Sequence, residues 1–302
     1  MKERLESDEL KVYKSLDSRK KLNAKEKQYF AGLEKGFNGE KLFDQWLEPV
    51  LEDRILLPDM QFMPNSTFVQ IDTILLTSKL IYSFEVKNYE GDHMLEGDEL
   101  LRTDGTDTKN PILQLKRNEP VLRKILDNLG CKIPIRSIAV FVNPSFYLYN
   151  APVDLPIIYP TQLKRFIEKL NYTPSFLKKT HTELAKNLIS STVAENPYVQ
   201  LPDYRYDELR KGIVCPDCGR FYGEYVRSTL TCSSCGGREN AYSAVLRTIE
   251  EFKLLFPDDK ITISRAMDWC SIVKSPDTMQ RILVSNLKLI KTGRGSHYVN
   301  EN

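Results

Sequence analysis

No run of apolar residues in this 302-residue chain approaches the length needed to cross a bilayer, so a transmembrane anchor is not expected. Nor is there a large excess of charge. Forty-three basic residues against 41 acidic ones leave a formal net charge of +2, which excludes nucleic-acid binding through a global field and confines such a site to a local patch. The first six residues, from Met1 to Glu6, are charged nearly throughout, which is not the pattern of a secretory signal. Internal repeats and low-complexity segments are missing. Cysteine is scarce: four of the six fall in one pattern, and Cys131 and Cys270 stand isolated among apolar neighbours, as expected of buried free thiols. That usage suits a reducing cytoplasm rather than a disulfide-stapled secreted protein.

What is present is enough apolar material for real cores, 41% of residues, and a length that implies two or three domains. The expected division is an N-terminal helical segment over 1–35, an α/β domain with trailing helices over 36–190, and a polar, proline-containing linker over 191–211. A metal-bound module follows over 212–240, and a last unit over 241–302.

The metal module is the sharpest local pattern. Cys215-Pro-Asp-Cys218-Gly219 is followed thirteen residues later by Cys232-Ser-Ser-Cys235-Gly236. Four thiolates so spaced can close a tetrahedron around one structural Zn²⁺, and each glycine permits the positive φ that turns the chain back under the metal. The unit is too small to be held by burial alone, so metal supplies its folding energy. Between the knuckles, Arg220, Arg227 and Arg238 interleave with Phe221, Tyr222 and Tyr225. This ribbon either contacts phosphates and stacks on bases or serves as a spacer between domains.

Periodicity places the other elements. Residues 1–47 read as helical, with a second helix from Gly39 to Leu47. The basic residues of 19–27, interspersed with acids, are expected to form a solvated helix face. Strands are predicted over 54–57, ending at Pro58, and over 68–76 and 80–86, the last two forming a hairpin through Thr77–Lys79. Residues 90–110 read as loops with short strands, and His93 there as a solvated side chain. A helix over 111–129, a buried strand over 135–142, a short strand at 157–159 and helices over 163–170 and 176–189 complete an α/β core.

The hairpin carries chemistry. Asp72 lies on one strand; Glu85 and Lys87, two apart on the next, share a face. Charges there, on strands otherwise made of Ile, Leu, Val and Phe, are costly unless paired or bound to metal. Asp72 and Glu85 could supply carboxylate oxygens to Mg²⁺, and Lys87 could orient water and stabilise charge on a phosphate. An isolated Glu-x-Lys pair is also an ordinary solvated pair on exposed strand faces.

The order of several short motifs narrows this. Gly39-Glu40 on a helix, Gln70-Ile71-Asp72 on a strand, Glu85-Val86-Lys87-Asn88 on the next, and Asn110-Pro111 with Gln114 at a later helix together resemble the NERD (nuclease-related) domain, a branch of the PD-(D/E)xK nucleases. The resemblance covers about residues 36–145. It implies a restriction-endonuclease-like α/β fold, a mixed sheet flanked by helices, with a divalent-metal site using Mg²⁺ or Mn²⁺. By position, Glu40 matches a helix carboxylate supporting the metal, Asp72 and Glu85 the metal ligands, Lys87 the catalytic lysine, and Gln114 a polar residue beside the site. No departure at these positions marks a dead site. Glu40 is equally readable as a helix-start carboxylate favoured by the macrodipole, and Gln114 as a helix cap or brace.

Residues 241–302 predict helices over 242–256, 262–270 and 278–286, the last capped by Ser275 with Pro276 in its first turn. A hairpin follows, turning at Gly293-Arg294-Gly295. Three helices and a hairpin resemble a winged helix-turn-helix. Arg281, Lys288, Lys291 and Arg294 lie in a stretch without acids, which suits DNA, although a helical module for protein contacts has the same outline. The combined expectation is a metal-dependent nuclease acting on DNA, double-stranded for preference. A homodimer would ease two-strand cutting. The rivals are a non-catalytic DNA-binding or regulatory protein on a nuclease-like scaffold, and an interaction module with a protein partner in DNA repair or defence.

Overall fold

A computed structural model describes residues 3–193, 196–223, 225–226 and 228–300, and of Tyr225, Val226 and Arg294 the backbone only. In chain order the elements are α1 (Asp8–Arg19), α2 (Ala24–Leu47), β1 (Ile55–Phe62), β2 (Val69–Leu76), β3 (Ile81–Lys87), β4 (Gly91–Glu96), β5 (Glu99–Arg102), β6 (Asp107–Thr108), α3 (Pro111–Asn128), β7 (Ile135–Phe141), β8 (Phe146–Tyr149), β9 (Ile157–Ile158), α4 (Leu163–Tyr172) and α5 (Lys179–Ser190). They continue with β10 (Tyr225–Val226), β11 (Thr229–Thr231), β12 (Arg238–Asn240), α6 (Ala241–Leu255), α7 (Ile263–Cys270), α8 (Pro276–Val284), β13 (Lys288–Ile290) and β14 (His297–Val299). The chain divides into two compact units: residues 1–6 with 31–199, and residues 7–30 with 200–302.

The first unit is built on a five-stranded sheet in the order β1-β2-β3-β7-β9. The hairpin β2–β3 is antiparallel, closed by the Thr77 amide donating to the Leu80 carbonyl at 3.0 Å. Strand β7 then joins β3 in parallel along its whole length, from Ile81↔Ile135 to Lys87↔Phe141. A parallel neighbour needs a crossover, and α3 lies between the two strands in the chain. Asn110 caps α3, its Oδ1 accepting the Ile112 amide at 2.9 Å, with Pro111 already fixed at a helical φ.

Helices cover both faces of the sheet. On one, Phe43 and Leu47 of α2 and Leu163, Ile167 and Leu170 of α4 pack on Tyr82, Phe84, Val140 and Ile138. On the other, Leu122, Ile125 and Leu126 of α3 and Leu184 and Leu188 of α5 pack on Leu57, Met60, Ile71 and Ile74. Phe43 and Phe84 meet edge to face at 4.9 Å, and each such fully buried side chain contributes about 1.5–3 kcal/mol. A second sheet, β6-β5-β4-β8, belongs to the same unit.

Several expectations change here. Strand β1 does not stop at Pro58 but continues to Phe62, because Pro58 sits in a strand at the sheet edge, where a missing N–H costs little. Glu40 is not at a helix start: α2 begins at Ala24, where Asn23 and Glu26 exchange side-chain and backbone hydrogen bonds in a capping box. His93 is buried, its Nδ1 at 3.1 Å from the Gly91 carbonyl and its ring between Tyr89 and Phe146; burial lowers its pKa.

In the second unit, Arg19 does not join a solvated face. It is buried, with two bonds to Glu251 (2.9 and 2.6 Å), one to the Arg210 carbonyl (2.7 Å) and its guanidinium 4.0 Å from the Trp269 ring. Such a charge tolerates burial because it is paired and all of its donors on that side are used. Strands β10-β11-β12 form the small ribbon sheet, and α6, α7, α8 and the β13–β14 hairpin follow. Ile261, between α6 and α7, forms an isolated antiparallel bridge to Tyr298 of β14. Ser275 caps α8 by accepting the Thr278 amide at 3.3 Å.

Candidate active site and cysteine centre

The β1–β2 ladder pairs each residue from Ile55↔Leu76 to Phe62↔Val69 except at one place, where Asp59 and Asp72 would face each other. There Asp59 adopts a left-handed backbone, φ 47°, a conformation short polar residues tolerate best. The β2–β3 ladder likewise ends at Thr73↔Phe84, one residue short of aligning Asp72 with Glu85. The sheet therefore opens where the two carboxylates lie. Asp72 Oδ2 closes part of the gap by accepting the Val86 amide at 2.7 Å.

Glu85 and Lys87 do share a face. Lys87 Nζ lies 2.7 Å from Glu85 Oε1, with 14% and 3% of the two side chains exposed. Burial alone would lower the Lys87 pKa, but Glu85 and Asp72 outweigh it and hold the ammonium charged well above its ordinary range. Burial, then the charges of Glu85 and Glu40, push Asp72 well above the usual carboxylate range. Burial, opposed by Arg4, pushes Glu40 up to about 7.

Glu40 faces Arg4, whose Nη1 donates to Glu40 Oε2. Arg4 also binds Asp44 through Nε (2.6 Å) and Nη2 (3.0 Å), and Nη2 reaches the Asp72 carbonyl and Thr73 Oγ1, both at 2.8 Å. Asp59 accepts the side-chain amides of Gln61 (3.0 Å) and Gln70 (2.9 Å). On α3, Gln114 Oε1 is buried without a hydrogen-bond partner, and one turn on, buried Asn118 donates to the Gln70 carbonyl at 2.9 Å.

Of the residues the sequence singled out, Glu85 and Lys87 are in contact, Asp72 hydrogen-bonds to the residue between them, and Glu40 is linked to Asp72 through Arg4. Gln114 lies on the helix packed against β2, β3 and β7. Sequence reasoning missed Arg4, Asp44, Asp59 and Asn118. Asp44 follows Glu40, and Asn118 follows Gln114, by four residues, the spacing of one helix face, which could have flagged both. Nothing local marks Arg4.

The donor set suits a hard divalent ion: two buried carboxylates, with oxygen ligands completed by water. An unpartnered amide oxygen at Gln114 adds an acceptor. Glu40, Asp72 and Glu85 do not close to one compact cage. Among the described residues, the only group of three or more Cys, His, Asp or Glu with all ligand atoms within 4.8 Å of one another is Cys215, Cys218, Cys232 and Cys235.

Those cysteines fit zinc. Cys215 and Cys235 Sγ lie 3.7 Å apart, Cys218 and Cys232 Sγ 3.5 Å, against about 3.8 Å for a tetrahedron of 2.3 Å Zn–S bonds. Gly219 (φ 71°) and Gly236 (φ 76°) turn as expected, each amide bonding back to the first cysteine carbonyl of its knuckle at 3.0 and 2.9 Å. Tyr222, read from sequence as a stacking ring, is instead buried, because it packs inside the module with its hydroxyl 3.4 Å from Glu239. Arg227 lies outside the described residues, as do the side chains of Tyr225 and Arg294. Arg220, Arg238, Arg281, Lys288 and Lys291 are exposed.

No helix among the described residues is long and apolar enough to cross a membrane. No curated protein and no solved structure matched the chain. One family model did, the nuclease-related domain, over residues 35–142, a span that holds Glu40, Asp72, Glu85, Lys87 and Gln114. The chain thus carries a nuclease-related domain, NERD, at residues 35–142, with a four-cysteine group able to hold zinc beyond it.

Proposed function

We propose that the protein is a metal-dependent nuclease that hydrolyses phosphodiester bonds in DNA. The observation that carries this reading is the opening of the sheet at Asp72 and Glu85, with Lys87 beside them, inside the span matched by the nuclease-related family. Asp72 and Glu85 would hold Mg²⁺ or Mn²⁺, with Glu40 supporting them from α2 and Gln114 from α3. Such an ion, when bound, lowers the pKa of water and polarises a phosphoryl oxygen.

The chain's own groups divide the remaining work. Lys87, held protonated by Glu85 and Asp72, suits a positive charge placed against the phosphate rather than a base that takes a proton. The Val86 amide holds the Asp72 carboxylate and Lys87 holds that of Glu85, so both are fixed before substrate arrives. Zinc at the four cysteines is read as structural, because a closed four-thiolate set leaves no open position for chemistry. Exposed Arg281, Lys288 and Lys291, with Arg294 in the same acid-free stretch, would grip a duplex backbone. Free thiols agree with a reducing cytoplasm.

Supercoiled plasmid and linear single-stranded DNA, incubated with Mg²⁺, Mn²⁺ or EDTA, test the reading. Metal-dependent cutting is expected, and Lys87→Ala and Asp72→Asn should each lower it by about 100- to 1000-fold, the range for losing one positioned transition-state group, with unchanged circular dichroism. Full activity in either variant would sink the assignment. Salt-sensitive DNA binding without cutting in any metal would favour a binding or regulatory protein on a nuclease-like scaffold. Affinity for a protein partner alone would favour an interaction module in DNA repair or defence.

A further inference from the structure

We propose that Arg4 is a positioning residue of the carboxylate site: it ties α2 to β2 so that Asp72 keeps its carboxylate beside Glu85. The inference rests on the nuclease reading. The Arg4 side chain is only 4% exposed, although it belongs to no helix or strand. Burying a guanidinium is costly unless its donors are used. Here they are: Nη1 to Glu40, Nε and Nη2 to the two oxygens of Asp44, and Nη2 again to the Asp72 carbonyl and Thr73 Oγ1.

Which atoms it takes matters. From Asp72 it takes the main-chain carbonyl and not the carboxylate, which instead accepts from Val86. Asp72 is also the β2 residue missing from the β1–β2 ladder. A strand carbonyl at a ladder gap inside the fold needs another donor. Arg4 supplies it and so permits the gap that lets the Asp72 side chain turn toward β3. With the same planar fork it fixes Glu40 and Asp44, one turn apart on α2. A lysine, a point charge on a flexible stem, cannot span these acceptors. Because Arg4 leaves the Asp72 and Glu85 carboxylates to others, it acts through the metal site's support and does not occupy the metal's place.

The test is Mn²⁺ binding by calorimetry, without nucleic acid, on the full chain purified with zinc, alongside thermal melts. Wild type, Arg4→Ala, Arg4→Lys, Asp44→Asn and Glu85→Ala are compared. Glu85→Ala should abolish the Mn²⁺ signal, which assigns it to this site. Arg4→Ala should weaken Mn²⁺ binding about 10- to 100-fold, the range for removing an outer-sphere partner, and Arg4→Lys and Asp44→Asn should weaken it less. A purely structural role would reduce the folded fraction and leave the dissociation constant of the folded protein unchanged. Unchanged affinity in Arg4→Lys and Asp44→Asn, or in a folded Arg4→Ala, overturns the inference while wild-type binding keeps the nuclease reading. Tighter binding also overturns it, since Arg4 would then compete with the metal. If wild type binds no Mn²⁺ and cuts no DNA, the nuclease reading falls and this inference with it.

Discussion

Glu40 illustrates how one residue takes its meaning from its surroundings. In sequence it followed a glycine and suited a helix start; in the fold it is well inside α2, one turn before Asp44, with Arg4 against it. The preceding Gly39 lets α2 pass close to Asn88: a Cβ there would lie 2.5 Å from that of Asn88. Burial raises the Glu40 carboxyl from 4.5 to about 7 in the folded state. A raised folded value favours the protonated form, so its contribution to stability is full below pH 4.5 and is lost as pH rises through about 7. Urea midpoints of the wild type should carry this falling slope between pH 4.5 and 7, and Glu40→Gln should flatten it; an unchanged slope would assign it to another group. The sequence flagged Glu40 through its place in a motif, whereas its Arg4 partner, 36 residues away, left no local trace.

Among the elements, the cysteine ribbon was the most legible, since its chemistry is local. Two Cys-x-x-Cys-Gly knuckles fix both the ligands and the turns, and Gly219 and Gly236 have the positive φ such turns need. Zinc release should therefore expose four thiols per ion to a thiol reagent, while buried Cys131 and Cys270 stay slow until global unfolding. A zinc-bound cysteine is a thiolate, whereas free thiols are mostly protonated at neutral pH, so binding zinc must expel protons. Zinc retention, followed with a chromogenic chelator, should fall as pH falls from 7.5 toward 5; retention independent of pH would argue against thiolate ligation. The strands were legible in a different way. Ile- and Val-rich runs located β2, β3 and β7, but the length of β1 was hidden by Pro58, whose breaking effect applies inside a sheet and not at its edge.

For the whole molecule, a net charge of +2 means that nucleic-acid affinity must come from a patch, and the exposed bases of α8 and the following hairpin are the candidates. Replacing Arg281, Lys288 and Lys291 by Glu should weaken duplex binding evenly across sequences. It should also flatten the dependence of log affinity on log salt by roughly one unit for each phosphate that is no longer neutralised. An unaltered slope would move DNA binding away from this region. Spacing along a strand or a short loop was enough to locate β2, β3 and β7, the four-cysteine set and the Glu85–Lys87 pair. Long-range packing, by contrast, sets the opening of the ladder between Asp59 and Asp72, the seating of Arg4 against the Asp72 carbonyl, and the burial of Arg19 and His93. These depend on groups tens to hundreds of residues apart meeting in a close-packed interior. Which charge is paired there is set by what packs around it, and no window of sequence contains that information.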